Sequence, residues 1–531
     1  MLKKKKRQKR AFIRAYQSKL KEDKIEDSSI ILFDLINTPF TNDQNELKGN
    51  SFILDENLYS CTQQFLMLRV LNFEFIEQIN LAFGRPHKEI KHPLPLQWRK
   101  RLEEKHSIKA LTFHNHLLWL KFLLYWFLIG HLFACYEWFK NILNFKNDQF
   151  KNQPYSYFHQ LSKQNLPNEK NKGGYENNTI ISWYAELSNR SENIFTNVDI
   201  EQPIKINNKH VYGSKSPWPK LKSLNTFIRL IFWAVVFFFK STIKLFQGQF
   251  IFPMMIREIM LAKLVHHLDS SRLPRRYFFH NSGFFFRPLW TYVAQNKGAQ
   301  IILYYYSTSD LWLQTKKGDT NIYKPYHIMT WPEYWIWNEH QLNFLNRFLS
   351  YDFKYKIVGP IWFSSTSIES LKKLPKKGIA IFDIEPYRDS YQKKIWYPVD
   401  YYSFDLAKKF YGDLSEIASR NNINLFIKRK RFNKNAHKGY LKMIDDLSKH
   451  NNIFYIDPSI AAKSLIEISS ATITMSFSTT AIIANSLNYP SVFYDPTLKT
   501  VQNDPAAHGI NIIQNKEVLE KWMIENINKI S

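Results

Sequence analysis

The residues best suited to chemistry stand just after short apolar runs. Ser476-Phe477-Ser478-Thr479-Thr480-Ala481 follows Thr472-Ile473-Thr474-Met475 and opens a helical pattern. Free backbone N–H groups at a helix N-terminus attract anions, and the helix dipole adds to the attraction. The hydroxyls of Ser476, Ser478, Thr479 and Thr480 would add donors, which predicts a phosphate site. Plain capping needs only one Ser or Thr, and four hydroxyls in five positions exceed that. Lys428-Arg429-Lys430-Arg431 follows Leu425-Phe426-Ile427. Arg429 offers a planar fork and Lys428 and Lys430 point charges that would neutralise a diphosphate; a solvated basic loop is the alternative. Asp383-Ile384-Glu385-Pro386-Tyr387-Arg388 follows Ile379-Ala380-Ile381-Phe382. Asp383 or Glu385 could take a proton from an acceptor hydroxyl, hold a ribose or sugar hydroxyl, or cap the next segment. His280, in His280-Asn281-Ser282 after Tyr277-Phe278-Phe279, is either structural or a further candidate base. Ser307-Thr308-Ser309-Asp310 follows another strand-like run.

Two α/β segments would position these groups. The first has strands at 277–280, 300–306, 327–331 and 356–358, with helices at 288–296 and 338–349. After the break Leu371-Lys372-Lys373-Leu374-Pro375-Lys376-Lys377-Gly378 comes the second. Its strands are expected at 379–383, 423–428, 452–456, 471–475 and 491–494, with helices at 402–420, 435–449, 460–469 and 479–487. Strands joined by single helices form a parallel, doubly wound sheet. Such sheets bind ligands at the carboxyl ends of their strands, where all the groups above fall.

The rest of the chain is different in kind. Phe122–Tyr136 and Phe227–Phe239 are aromatic, apolar runs. Each is shorter than the roughly 20 residues that span a bilayer. Lys222, Arg229, Lys240 and Lys244 surround the second, which suits a helix lying in a membrane interface; a buried helix pair and a true span are the alternatives. The region from about 145 to 215 is rich in Asn, Lys, Gln and Ser. It contains Lys172-Gly173-Gly174 and reads as an insertion with short strands such as 180–184. The expected division is 1–145, a basic N-terminus and aromatic helical region; 146–270, the polar insertion and interfacial helices; 271–370, a first Rossmann-like half on the acceptor side; and 371–531, a nucleotide-binding Rossmann-like domain.

With 73 Lys and Arg against 46 Asp and Glu, the formal charge is +27. That predicts an anionic partner: a membrane leaflet, phosphorylated substrates or nucleic acid. No recognition motif supports specific nucleic acid. The first 20 residues hold nine basic and no acidic side chains, with no apolar stretch behind them. They read as a solvated tail or a lipid-binding arm and not as a secretory signal. Cys61 and Cys135 form neither a zinc spacing nor a disulfide framework.

From Phe279 to Gly509, about 45% of the chain, the sequence resembles the bacterial polysaccharide-biosynthesis family named for a Pro-Phe-Thr-Ser motif. The resemblance is carried by Pro288-Leu289-Trp290, Tyr305-Tyr306-Ser307, Val358-Gly359-Pro360-Ile361-Trp362, Phe382-Asp383, Lys428-Arg429-Lys430-Arg431, Ser476-Phe477-Ser478-Thr479-Thr480-Ala481 and Tyr494-Asp495-Pro496. Ser476 stands where the motif has Pro, and Ser478-Thr479 where it has Thr-Ser; the hydroxyl chemistry survives both changes. The basic run and hydroxyl loop are also similar to the donor sites of two-domain sialyl- and Kdo-type transferases. The resemblance implies a GT-B-like pair of Rossmann-like domains and a role in O-antigen or capsule assembly. The expected reaction is metal-independent glycosyl transfer, with no cofactor beyond the nucleotide-sugar donor, to a lipid-linked or polysaccharide acceptor on the cytoplasmic face of the membrane. A polyol-phosphate transferase and a non-catalytic assembly factor are the alternatives.

Overall fold

The computed structural model describes residues 28–528 apart from 43–45, 49–50, 84–86, 144–153, 167–178, 188–191, 207–208, 215, 222, 284, 309–313, 316–317, 320–323, 362–370, 388–400, 430–435 and 459. The basic N-terminal arm, Lys172-Gly173-Gly174, Asp310, Arg388, Lys430 and Arg431 therefore lie outside the described residues.

Helices α1 (Ser28–Asn37), α2 (Asp55–Arg69), α3 (Phe73–Phe83) and α4 (Leu96–His106) precede the long helix α5 (Phe113–Leu143). Asp34 ties α1 to α4 through Arg101 at 2.7 Å, Lys105 and His106. Strand β1 (Tyr155–Phe158), helix α6 (Ile180–Leu187), strands β2 (Asn193–Thr196), β3 (Ile204–Ile206) and β4 (Lys209–Gly213), and helices α7 (Leu224–Phe246) and α8 (Ile251–His267) follow. Then come β5 (Arg276–His280), α9 (Leu289–Asn296), β6 (Gln300–Tyr304), the small hairpin β7 (Gln314–Thr315) and β8 (Gly318–Asp319), β9 (Glu333–Ile336), α10 (Glu339–Phe348) and β10 (Lys354–Ile357).

These strands form one eight-stranded sheet in the order β10-β9-β6-β5-β1-β2-β4-β3. Every pairing is parallel except β3 with β4. Counted outward from β1, the strands run away on one side through β2 and β4 and on the other through β5, β6, β9 and β10. The strand order therefore reverses between β1 and β5.

The second sheet follows the break at Pro375. It comprises β11 (Ile379–Phe382), α11 (Phe404–Arg420), β12 (Leu425–Lys428), α12 (Lys438–Leu447), β13 (Ile453–Ile456), α13 (Ala462–Ile468), β14 (Ala471–Thr474), α14 (Thr479–Ser486), β15 (Ser491–Tyr494), β16 (Ile512–Ile513) and α15 (Lys516–Asn528). The order β13-β12-β11-β14-β15-β16 is wholly parallel and reverses between β11 and β14. Both sheets are thus doubly wound, in the two-domain α/β arrangement expected. Their central strands are buried on both faces, which is why they read as unbroken apolar runs.

Three expectations are corrected. The sheet expected over 271–370 draws β1 to β4 from the segment read as a polar insertion, so a boundary at 271 would cut a single sheet. Residues 180–184 are helical, because Thr179 Oγ1 accepts the Ser182 backbone N–H at 3.2 Å and caps a helix there. Residues 327–331 are not a strand; the chain turns through 324–328, and Glu333–Ile336 pairs between β6 and β10.

The two apolar runs are also longer than their most hydrophobic stretches suggested. α5 has 31 residues and α7 has 23, so both are long and apolar enough to cross a membrane. Each nevertheless packs a narrow face onto α8, which is buried for most of its length. On α5 that face is Trp119, Leu123, Phe127, Ala134 and Trp138, with Gly130 admitting Ile256. Ring contacts such as Phe127–Phe238 and Trp138–Trp233 join α5 to α7. The opposite faces expose Leu124, Leu128 and Leu132 on α5, and Ile228, Phe232 and Phe239 on α7. A core helix pair is therefore not what the structure shows.

Candidate active site

At a reversal of strand order, neighbouring strand ends send their loops apart and leave a crevice. In the second sheet, β11 delivers Asp383 and Glu385 to that crevice and β14 delivers the 476–480 loop. The register Phe382↔Thr474 sets the two side by side, and the Met475 N–H continues the pairing to the Phe382 carbonyl at 3.2 Å.

The loop divides in two. Ser476 and Phe477 are buried, with the Phe477 N–H donating to the Tyr402 hydroxyl at 3.3 Å. Ser478, Thr479 and Thr480 are only half-buried. Ser478 occupies the N-cap position of α14 yet makes no side-chain cap. Its hydroxyl instead bonds that of Thr480 at 2.8 Å. Thr479 reaches the other domain, where its hydroxyl meets that of Thr308 at 3.2 Å. Gln341 holds the Thr308 carbonyl at 3.1 Å, and Asn338 bridges to His508 at 2.9 Å. The hydroxyl loop therefore lies on the cleft between the two sheets.

The basic and acidic groups, predicted separately, are partners. Arg429 Nε donates to Glu385 Oε1 at 2.8 Å in a largely buried ion pair. Lys428 is buried; its ammonium lies 3.3 Å from the Pro458 carbonyl and 3.4 Å from that of Arg429. Burial pulls its pKa down, opposed by Asp457. Asp383 is buried among tyrosines: Tyr440 donates to its Oδ2, Tyr411 and Tyr455 stand beside it, and its Oδ1 makes no hydrogen bond. Burial pushes its carboxyl up to about 6, against the lowering effect of the tyrosine hydroxyls.

His280 stands apart from this group, at the carboxyl end of β5. Its Nδ1 accepts the Ser282 backbone N–H at 3.2 Å, which places the ring proton on Nε2, 3.2 Å from the Gln160 carbonyl. Burial lowers its pKa and keeps it neutral. Both ring nitrogens are thus engaged, which leaves no free lone pair for a base.

Sequence reasoning missed Tyr440, Tyr411 and Tyr455, whose only signal was a high tyrosine content. Asp495 stood in the sequence only as part of Tyr494-Asp495-Pro496, with no role attached. That carboxylate is fully buried at the end of β15. Burial would raise its pKa, but bonds from the backbone N–H and hydroxyl groups of Thr497 and Thr500, 2.6 to 3.0 Å long, outweigh it and lower the value. Among the described residues no three His, Cys, Asp or Glu side chains converge to hold a metal.

Two doubly wound α/β sheets with loops facing across a cleft define a GT-B-like protein. The family model described as polysaccharide biosynthesis PFTS motif protein matches residues 233–523, more than half of the chain, and the chain belongs to that family. The match begins within α7, well before the residues that carry the resemblance in the sequence. No curated protein matches. Among solved structures, UDP-GlcNAc 2-epimerase from Methanocaldococcus jannaschii is 12% identical with a TM-score of 0.38, covering 70% of this chain and 92% of that one. A variant of the wall teichoic acid polymerase TagF is 13% identical with a TM-score of 0.38, covering 76% and 89%. An E. coli protein described as trehalose-6-phosphate, bound with UDP-2-fluoro glucose, is 9% identical with a TM-score of 0.37, covering 71% and 92%. Likenesses this low carry no activity across.

Proposed function

We propose that the protein is a glycosyltransferase that moves a sugar from a nucleotide-sugar donor to a surface-polysaccharide acceptor at the cytoplasmic face of the membrane, without a resident metal or cofactor. The observation that carries this reading is the 478–480 loop. Its hydroxyls stand at a helix N-terminus, at the strand-order reversal, on the interdomain cleft, and Ser478 is not spent on capping. Such a loop stabilises the charge that builds on a departing nucleoside diphosphate. Asp383 is the favoured base of the three candidates: its Oδ1 makes no hydrogen bond, and burial raises its carboxyl toward the range in which a general base works. Glu385 is held by Arg429, and His280 has both nitrogens engaged. The direct test is incubation of the full chain with a panel of labelled nucleotide sugars. Hydrolysis or transfer of at least one, with stabilisation by the matching nucleoside diphosphate, is expected. Inertness to all, with no thermal shift, would leave the non-catalytic assembly factor.

The same reading includes membrane attachment without spanning. α5 and α7 have apolar outer faces, but α8 holds their inner faces to the α/β domain. A helix whose inner face packs on α8 can lie in the interface with its outer face toward lipid. Flotation with anionic liposomes is expected, weakened by salt because exposed charge attraction is screened. Retention through both high salt and alkaline carbonate would indicate spanning instead.

A further inference from the structure

We propose that the cavity at the strand-order reversal of the first sheet binds the phosphate of a lipid-linked acceptor. This inference rests on the transferase reading above and names its acceptor class. The cavity, of about 440 Å³, lies between α2, α5, α8 and the ends of β1 and β5. A crevice at this point is where a doubly wound sheet takes a ligand. His159 and Gln160 reach it from β1, and His280 and Ser282 from β5.

Its walls are aromatic, with Trp126, Phe133, Trp218 and Trp290 among them, and two arginines enter it. Arg257 stacks on Phe133 at 4.3 Å and Arg69 lies over Trp126 at 5.1 Å. Stacking uses the faces of the guanidinium groups and leaves their N–H edges to an anion. Neither arginine has an ion-pair partner among the described residues, and Arg257 Nε is buried without any hydrogen bond. The cavity's carboxylates do not fill that role. Glu258 is fully buried, accepts the Leu289 N–H at 3.1 Å and feels both arginines, but burial outweighs them and raises its pKa, and it forms an ion pair with neither; Glu137 faces Lys140 at 3.7 Å. The buried Arg257 Nε–H, on an otherwise half-buried side chain, is costly to leave unmade unless an acceptor completes it.

Position selects the kind of anion. One wall of the cavity is α5, on which Phe133 lines the cavity and is itself exposed, with the exposed apolar side chains of Ile129 and Tyr136 beside it. A phosphate carried on a lipid could sit on the arginines while its chain follows the apolar helix surface. At the other end, the Ser282 hydroxyl bonds Tyr306 at 2.6 Å, and two residues further on Thr308 meets Thr479. The cavity is thus connected, loop by loop, to the donor side of the cleft.

The test uses the full chain, with binding read by titration calorimetry. Hexyl phosphate is titrated against hexanol and inorganic phosphate. Saturable binding of hexyl phosphate is expected, with each fragment alone at least roughly 10-fold weaker. Arg257→Gln and the more exposed Arg69→Gln are each expected to weaken hexyl phosphate roughly 10- to 100-fold, the loss of a charged hydrogen bond. Stabilisation by nucleoside diphosphate should be unchanged in both variants. Should Arg257→Gln fail to fold, Arg69→Gln decides alone. Absence of saturable hexyl phosphate binding, equal affinity in the variants, or inorganic phosphate binding as tightly as hexyl phosphate would overturn the proposal. Failure of the transferase reading would look different: no nucleotide stabilises the wild-type protein, whatever the cavity binds.

Discussion

Asp383→Asn is expected to stabilise the protein at neutral pH and to remove a pH dependence that the native protein shows. Burial raises the Asp383 carboxyl from 3.8 to about 6 in the folded state. The folded protein therefore binds this proton more tightly than the unfolded chain. Well below pH 3.8 both states are protonated and the group has no effect on stability. As pH rises from about 4 to 6 the unfolded chain releases the proton first, so stability falls. Above about pH 6 the full cost applies, roughly 3 kcal/mol at 1.36 kcal/mol per pH unit. Asparagine is neutral throughout, and its amide oxygen can still accept from Tyr440. The difference in unfolding free energy between Asp383→Asn and wild type should grow from about 1 kcal/mol at pH 4.5 to about 3 kcal/mol at pH 7.5, read from urea titrations. A difference that stays flat would mean that the carboxyl is not held in this way. Asn cannot accept a proton, so if Asp383 is the base, the stabilised variant should also lose transfer by at least about 100-fold. Stability gained as activity is lost is the usual mark of a strained functional group.

What the sequence showed, and what it hid, follows from the range of the interactions involved. Five of the six strands of the second sheet were legible within a residue or two because they are apolar runs bounded by amphipathic helices such as Phe404–Arg420; the sixth, Ile512–Ile513, is too short to announce itself. Their ends then located Asp383, Lys428 and Ser478 at the carboxyl edge. The first sheet was only half legible. Its strands at 155–158 and 193–196 are four residues long and sit in Asn- and Lys-rich surroundings. They are strands because they pair with β5 and with each other, which no local pattern announces. The polar partnerships were hidden for the same reason. Arg429 and Glu385 lie on different loops and read as independent tools, an anion binder and a base, until the fold pairs them. Tyr440 lies 57 positions from the carboxylate it serves. The length of α5 was misjudged because its ends, Phe113-His114-Asn115-His116 and Glu137-Trp138-Phe139-Lys140, are polar enough to break an apolar window without breaking a helix.

Ser478→Ala and Thr479→Val should each weaken the binding of whichever nucleoside diphosphate stabilises the wild-type protein, by roughly 10- to 150-fold. Each removes one hydrogen bond to a charged group, worth about 1.5–3 kcal/mol. The competing explanation, capping, predicts the reverse pattern for Ser478: about 1 kcal/mol of stability lost and affinity unchanged. The structure already weighs against it, since the Ser478 hydroxyl bonds Thr480 and not the first-turn amides of α14. Thr479 adds a second readout. Its hydroxyl also meets Thr308 across the cleft, so Thr308→Val removes the interdomain bond and leaves the loop's own donors in place. If the loop binds phosphate, Thr308→Val should weaken the nucleotide much less than Thr479→Val does. If Thr479 serves only to hold the domains together, the two variants should be equivalent, and the double variant no worse than either one. Stability from urea titration and affinity from nucleotide titration, measured on the wild-type protein and these four variants, separate these cases. Equal effects of Thr308→Val and Thr479→Val, together with an unchanged affinity in Ser478→Ala, would remove the phosphate site and the main physical reason for reading the protein as a transferase.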